Sequence, residues 1–235
     1  MKELLHLDFT KINKFPRDYF NVATGKKWAN KELQEYVDDE THLFLTKEGL
    51  NIKATYDEDG VYRSTRINTR GNFSFTYGRI DIEARLPMGK GTWPALWMMS
   101  EDGRYGRWPK SGEIDIMEHV GRNPGELILC IHTEAYNHRQ KEQYYSALQA
   151  PEVKEGFHRY SLEWKENRII YYLDDEKVVE YVSGQDGRDA THRGWPFDHP
   201  FYLIMNLAVG GMLGGEPDAD DFPQTFVIKS IQVRQ

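Results

Sequence analysis

Runs of β-branched and aromatic residues recur along the whole chain, and none is followed by a sustained 3.6-residue periodicity. "HLFLT", "GLNIKATY", "FTYGRIDIEARL", "ELILCIH", "FHRYSLEW", "RIIYYLDD", "KVVEYV", "FYLIMNLAV" and "FVIKSIQV" all carry this pattern. In several, apolar and polar residues alternate: Tyr160, Leu162 and Trp164 face one way and Arg159, Ser161 and Glu163 the other. Turn chemistry lies between them, in "DEDG", "PMGKG", "RNPG", "WKENR" and "LDDEK". "NKELQEYVDD" suits one helical turn, and "SGQDGRDATHRGW" reads as a surface loop. The pattern predicts an all-β fold of two stacked antiparallel sheets, favoured over a closed barrel by strands that are apolar on both sides. With no internal repeat or linker, residues 1–235 are expected to form a single domain.

The stretch "SGEIDIMEHVG" interrupts this regularity, because Glu113, Asp115 and Glu118 fall within six residues. In a regular strand Glu113 and Asp115 share a face and Glu118 points to the other. Acids in a strand ordinarily form a solvated face, but Ile114, Ile116 and Met117 separate these three, and glycines bracket the segment. Glycoside hydrolysis supplies a sharper reading. A retaining enzyme holds a nucleophilic carboxylate and a proton-donating carboxyl about 5–5.5 Å apart. A five-residue offset meets that need only if the strand gains an extra residue near Ile116 and Met117, so a β-bulge is expected there. At that spacing, with an effective dielectric of ~20, two carboxylates repel by about 3 kcal/mol, enough to raise one pKa by roughly two units. One acid then stays protonated near neutrality, and Asp115 is placed to share a proton with Glu113.

Partners are bounded by charge. The formal net charge is -7 and the basic residues are scattered, which offers no footprint for nucleic acid or an anionic membrane. No apolar run approaches the ~18 residues of a membrane span, and the start "MKELLHLDF" lacks the apolar segment of a signal peptide. Cys130 is the single cysteine and excludes an internal disulfide. Aromatic residues make up 13% of the chain, more than a small core requires, and Trp93, Trp97 and Trp108 lie just upstream of the acids. Indoles beside carboxylates suit a sugar, whose C–H faces stack while its hydroxyls seek polar groups. "GGMLGG" fits neither glycine pattern of a phosphate loop and reads as a turn near the cleft, and His132 with His138 lacks the partner set of a zinc site.

"YGRIDIEARLPMGKGTWPALWMM", "WPKSGEIDIMEHVG", "IHTEAYNH", "FHRYSLEW" and "WPFDHPFYLIMNLAVGG" resemble, in order and over nearly the whole chain, the motifs of family 16 glycoside hydrolases, specifically the bacterial laminarinase-like endo-β-1,3-glucanases. The family signature is Glu-x-Asp-x-x-Glu in bulged members and Glu-x-Asp-x-Glu in the lichenase-like branch, and this chain has the longer form. The resemblance implies a β-jelly-roll of two curved antiparallel sheets with an open concave substrate cleft. It makes Glu113 the nucleophile, Asp115 the assisting acid and Glu118 the acid/base. Trp93, Trp97 and Trp108 match cleft aromatics, His132 a histidine on the next strand, and Asn30 an asparagine on the glycone side. Arg79 and Asn206 are further substrate-binding candidates, with pairing to a neighbouring acid and satisfaction of buried backbone as their competing roles.

The expected function is endo-acting, retaining hydrolysis of β-1,3-glucan. The alternatives are a mixed-linkage β-1,3-1,4-glucan or galactan hydrolase, and a non-enzymatic lectin or carbohydrate-binding module. A monomer that meets β-glucan as a secreted, periplasmic or cell-surface protein is expected, with no cofactor and no metal in the reaction. Many relatives bind a structural calcium through an aspartate in the last strand. Lys229 stands at that position here, and an ammonium is a poor neighbour for a cation that wants oxygen ligands.

Overall fold

The computed structural model describes residues 2–235, which form two stacked sheets and no closed barrel. The outer sheet runs, from edge to edge, Glu176–Val182, Arg168–Leu173, His158–Lys165, Gly78–Arg85, Gln224–Arg234, Gly49–Tyr56, Tyr62–Ser64 and Glu35–Tyr36, with Glu3–Asp8 and Leu43–Thr46 adding further pairings. The cleft sheet runs Tyr144–Gln149, Glu126–His132, Glu113–His119, Thr92–Ser100, Phe201–Val209, Arg66–Asn68 and Asn21–Ala23, and Ser74–Phe75 pairs with its Phe201–Val209 strand. Pairing is antiparallel throughout except between Glu35–Tyr36 and Tyr62–Ser64. Many neighbours in each sheet are distant in sequence, as in a jelly roll.

Alternation decides what each sheet buries. Ile80, Ile82, Tyr160, Leu162 and Trp164 from the outer sheet meet Leu96, Met98, Leu203, Met205 and Leu207 from the cleft sheet in one core. Burying each large apolar side chain contributes about 1.5–3 kcal/mol, so the inward face of every strand is held in register by its own hydrophobic set. The expected common face of Tyr160, Leu162 and Trp164 is present, and all three are buried. The outward residues of the cleft strands are then free to form a site.

Two local expectations differ. "NKELQEYVDD" contributes only a 3-10 turn at Ala29–Lys31, followed by the short strand Glu35–Tyr36. Asn30 and Lys31 both have φ of 60°, and two left-handed residues in succession stop a right-handed helix. "GGMLGG" is more than a turn, since Gly211–Gly214 makes one turn of helix. On the outer sheet, Lys229 Nζ donates to Glu83 Oε1 at 2.7 Å, so the ammonium occupies an ion pair.

The glycines that bracket the acidic strand have steric reasons. Gly112 has φ +84° and no room for a side chain, because a Cβ would stand 2.8 Å from Phe197. A Cβ on Gly121 would lie 1.8 Å from the Gly89 carbonyl oxygen. Gly121→Ala is therefore expected to destabilise the fold by at least the roughly 1–3 kcal/mol of an overpacked core. Thermal denaturation checks this, and an unchanged melting temperature would contradict the close approach.

Candidate active site

The acidic strand breaks register where the spacing of its carboxylates demands it. Against Thr92–Ser100, Glu118 lies opposite Ala95 and Met117 opposite Leu96, but the next partner of Trp97 is Asp115, so Ile116 is passed over. Against Glu126–His132 the shift again falls between Asp115 and Glu118. Ile116 and Met117, adjacent in sequence, are both buried in the core, which a regular strand does not allow. Glu113, Asp115 and Glu118 consequently all line one groove on the opposite face, with a cavity of about 270 Å³.

Tryptophans hold the two glutamates. Trp93 Nε1 donates to Glu118 Oε1 at 2.8 Å, and Trp108 Nε1 donates to Glu113 Oε2 at 2.9 Å. Trp97 Nε1 instead donates to Asn206 Oδ1 at 2.7 Å, and Asn206 Nδ2 reaches the Tyr36 hydroxyl at 3.1 Å. His132, across the strand pair from Glu113, places Nε2 3.4 Å from Asp115 Oδ2 and 3.7 Å from Glu113 Oε1. Its Nδ1 is buried without a partner, so a proton on Nε2, facing two carboxyls, is the arrangement the surroundings favour.

Burial raises all three carboxyl pKa values above the usual range, and the charge of a neighbouring acid adds to it in each. Asp115 is the most enclosed, and the charges of Glu113 and Glu118 raise it further. For Glu118 the largest influence is again burial, opposed by the Trp93 N–H and reinforced by the charge of Glu32. Glu113 is also pushed up by burial and by Glu118, but it receives both the Trp108 N–H and the field of Arg66. Burial outweighs these two contacts and leaves Glu113 at about 8 and Glu118 at about 7, so both carboxyls hold their protons well above the usual carboxylate range. Burial lowers His132 to about 4, so the ring is neutral near pH 7 and does not cancel the acids.

The groove gathers Asn30, Trp93, Trp97, Trp108 and Asn206 around the three acids, and His132 lines an adjoining part of it. Arg79 is not among them and is corrected here. It lies on the outer sheet, where its guanidinium binds Asp81 at 2.7 Å and Asp175 at 2.8 Å, in the competing role of a partner to neighbouring acids. The arginine that does line the groove is Arg66, whose guanidinium stands 4.7 Å over Trp97 and 5.0 Å over Trp28. Arg139 stacks likewise at 4.7 Å over Trp108, and His138 stands 5.2 Å from the same ring. Arg66 and Arg139 lie outside the quoted motifs, while His138 closes "IHTEAYNH" and Glu32 lies in "NKELQEYVDD" without any spacing that marked either as a groove residue.

A groove on a two-sheet jelly roll, floored by a bulged strand of three carboxyls and walled by indoles, defines a carbohydrate-active hydrolase architecture. The comparisons with known proteins narrow this class. Residues 20–226 match the family model "Glycosyl hydrolases family 16". A β-glucanase of Rhodothermus marinus is 42% identical over 217 residues, covering 89% of this chain and 76% of that protein. The structure of the laminarinase from Rhodothermus marinus superposes with a TM-score of 0.93 at 37% identity, over 99% of this chain and 96% of that one. A laminarinase from Flavobacterium sp. UMI-01 superposes with a TM-score of 0.91 at 33% identity, with both chains fully covered. The chain belongs to glycosyl hydrolase family 16.

The raised carboxyls have a cost that depends on pH. A group whose folded pKa lies above its unfolded value loses stability as pH rises from the unfolded to the folded value, at about 1.4 kcal/mol per unit of elevation. Asp115→Asn removes that penalty. It is expected to melt above the wild type at pH 8, by roughly 2–4 °C per kcal/mol for a domain of this size, with the gap shrinking toward pH 4. Melting curves across pH test this, and a variant less stable at pH 8 than at pH 4, relative to wild type, would refute it.

Proposed function

We propose that the chain is an endo-acting, retaining β-1,3-glucanase that uses Glu113 as nucleophile and Glu118 as acid/base. The observation that carries this reading is the bulge, which turns three acids onto one groove and leaves each glutamate on its own indole N–H. Glu113 attacks the anomeric carbon, and the glycosidic C–O bond breaks as Glu118 passes its proton to the departing oxygen. Glu118 then takes a proton from water, whose oxygen displaces Glu113 and restores the free enzyme.

Each neighbour has a part in this cycle. The Trp108 N–H and the field of Arg66 favour the ionised Glu113 that attack requires, while burial and the charge of Glu32 favour the protonated Glu118 that donates to the leaving oxygen. Asp115, protonated in its enclosed position, orients Glu113 and limits the charge the site must carry. Trp93, Trp97 and Trp108 offer the apolar faces on which sugar rings stack, and Asn30 and Asn206 offer polar groups for hydroxyls. An open groove admits the interior of a polymer, which supports endo action, and the resemblance to laminarinases supports a β-1,3-glucan. A lectin on the same scaffold has no need of three destabilising buried carboxyls. The chain is proposed to work as a monomer, with one catalytic domain, on polysaccharide outside the cell. Among the described residues no helix is long and apolar enough to cross a membrane.

Glu113→Gln and Glu118→Gln are each expected to lose several orders of magnitude of reducing-end release from laminarin while melting as folded proteins. Near-native turnover in either variant would sink the assignment.

No cofactor or metal takes part in the proposed chemistry. The residues at the family's structural calcium position do not fit that ion, because the Lys229 ammonium stands there paired with Glu83. The melting temperature of the metal-free chain is expected to stay unchanged when excess calcium is added. A calcium-dependent rise would overturn this.

A further inference from the structure

Beneath the catalytic groove lies a cluster that the glycosidase mechanism does not use as a unit. The cleft-facing residues of two paired strands bring Asp115 opposite Cys130, and His132 follows two residues along the same face. Cys130 Sγ is 3.4 Å from His132 Nε2, which is itself 3.4 Å from Asp115 Oδ2, and the three ligand atoms lie within 4.8 Å of one another. The three side chains are more than nine-tenths buried, yet all line a cavity continuous with the groove residues Glu113 and Glu118. Asp115 Oδ2 points into the cluster and has no hydrogen-bond partner, an unusual state for a buried carboxyl oxygen.

The donor set and its dimensions fit a particular chemistry. A thiolate, an imidazole and a carboxylate are the ligands of zinc, bound at about 2.0–2.3 Å, and such ligands in a tetrahedron stand about 3.3–3.6 Å apart. The two separations of 3.4 Å match that edge, and the third, within 4.8 Å, closes by side-chain adjustment. Sulfur excludes the hard cations, calcium and magnesium, and favours zinc and its thiophilic relatives. The fourth position is open to water or to Glu113 Oε1, 3.7 Å from His132 Nε2.

We propose that Asp115, Cys130 and His132 form an inhibitory site for a zinc-class divalent cation at the floor of the catalytic groove. The ion displaces the thiol proton of Cys130 and the carboxyl proton of Asp115 to solvent and binds the sulfur, Nε2 of the neutral ring and the Asp115 carboxylate, with the ring proton moved to Nδ1. It thereby removes Asp115 from Glu113 and sets a double positive charge beside the nucleophile, whose lone pairs it holds back. The partner set that His132 lacks in sequence with His138 is supplied across the strand pair.

The test uses the full chain, freed of metal and titrated with zinc by calorimetry and with cobalt by absorption, both without substrate. One ion per chain is expected, with a sulfur-to-cobalt charge-transfer band in the near ultraviolet. That band is unambiguous because Cys130 is the only cysteine, and it needs no variant. Cys130→Ser is expected to abolish the band and to weaken zinc by more than the roughly 10–100-fold that loss of an outer-shell partner costs. Stoichiometric zinc should suppress laminarin hydrolysis by the wild type, reversibly with a chelator, and leave Cys130→Ser near its own zinc-free rate. Absence of the band, equal zinc affinity in the variant, or equal suppression of both proteins would overturn the proposal. The binding measurements stand whether or not the chain hydrolyses laminarin, so failure of the site and failure of the glucanase reading are distinguishable.

Discussion

The site depends on one extra residue in one strand. Side chains along a strand alternate with period two, so acids at an odd separation cannot share a face unless the count is broken. Passing over Ile116 breaks it, and the cost is offset locally because Ile116 and Met117 are both apolar and both enter the core. The same hydrophobic burial that fixes the register of the neighbouring strands holds the bulge in place. Glu118 faces the groove because two successive residues beneath it are anchored in the sandwich.

Placing three carboxyls in so small a volume sets the electrostatics of the groove. Full ionisation is opposed by burial and by repulsion between the acids, and the imidazole of His132, forced neutral by its own burial, offers no countercharge. What remains is dipolar and remote: an indole N–H on each glutamate and the field of Arg66. They oppose the effect of burial without overcoming it, so both glutamates titrate near neutrality instead of as ordinary carboxylates. Stability given up in this way is typical of sites that need groups in uncomfortable ionisation states.

Much of the fold was legible because it rests on local rules. Period-two alternation, turn residues between apolar runs and the absence of helical periodicity all pointed to two packed sheets, and the odd spacing of Glu113 and Glu118 pointed to a bulge. The single helical turn read into "NKELQEYVDD" is present only as the 3-10 turn at Ala29–Lys31, because the left-handed Asn30 and Lys31 end it there. Arg79 was misplaced because a basic residue in an alternating strand says nothing about which sheet that strand joins. Its pairing with Asp175 spans 96 residues. Arg66 and Glu32 went unnoticed for the same reason, since their significance arises only where distant segments converge on Trp97 and Glu118.

The sequence by itself determined the fold class, the family and the identity of the three acids, since each is written in residue order within single strands. The tertiary structure alone decided which indole holds which carboxyl, which arginine enters the groove, and that Asp115, Cys130 and His132 meet. Those facts depend on cross-strand register and on the stacking of the sheets. Pairing energies and burial choose such contacts between residues far apart in the chain, and no local pattern encodes them.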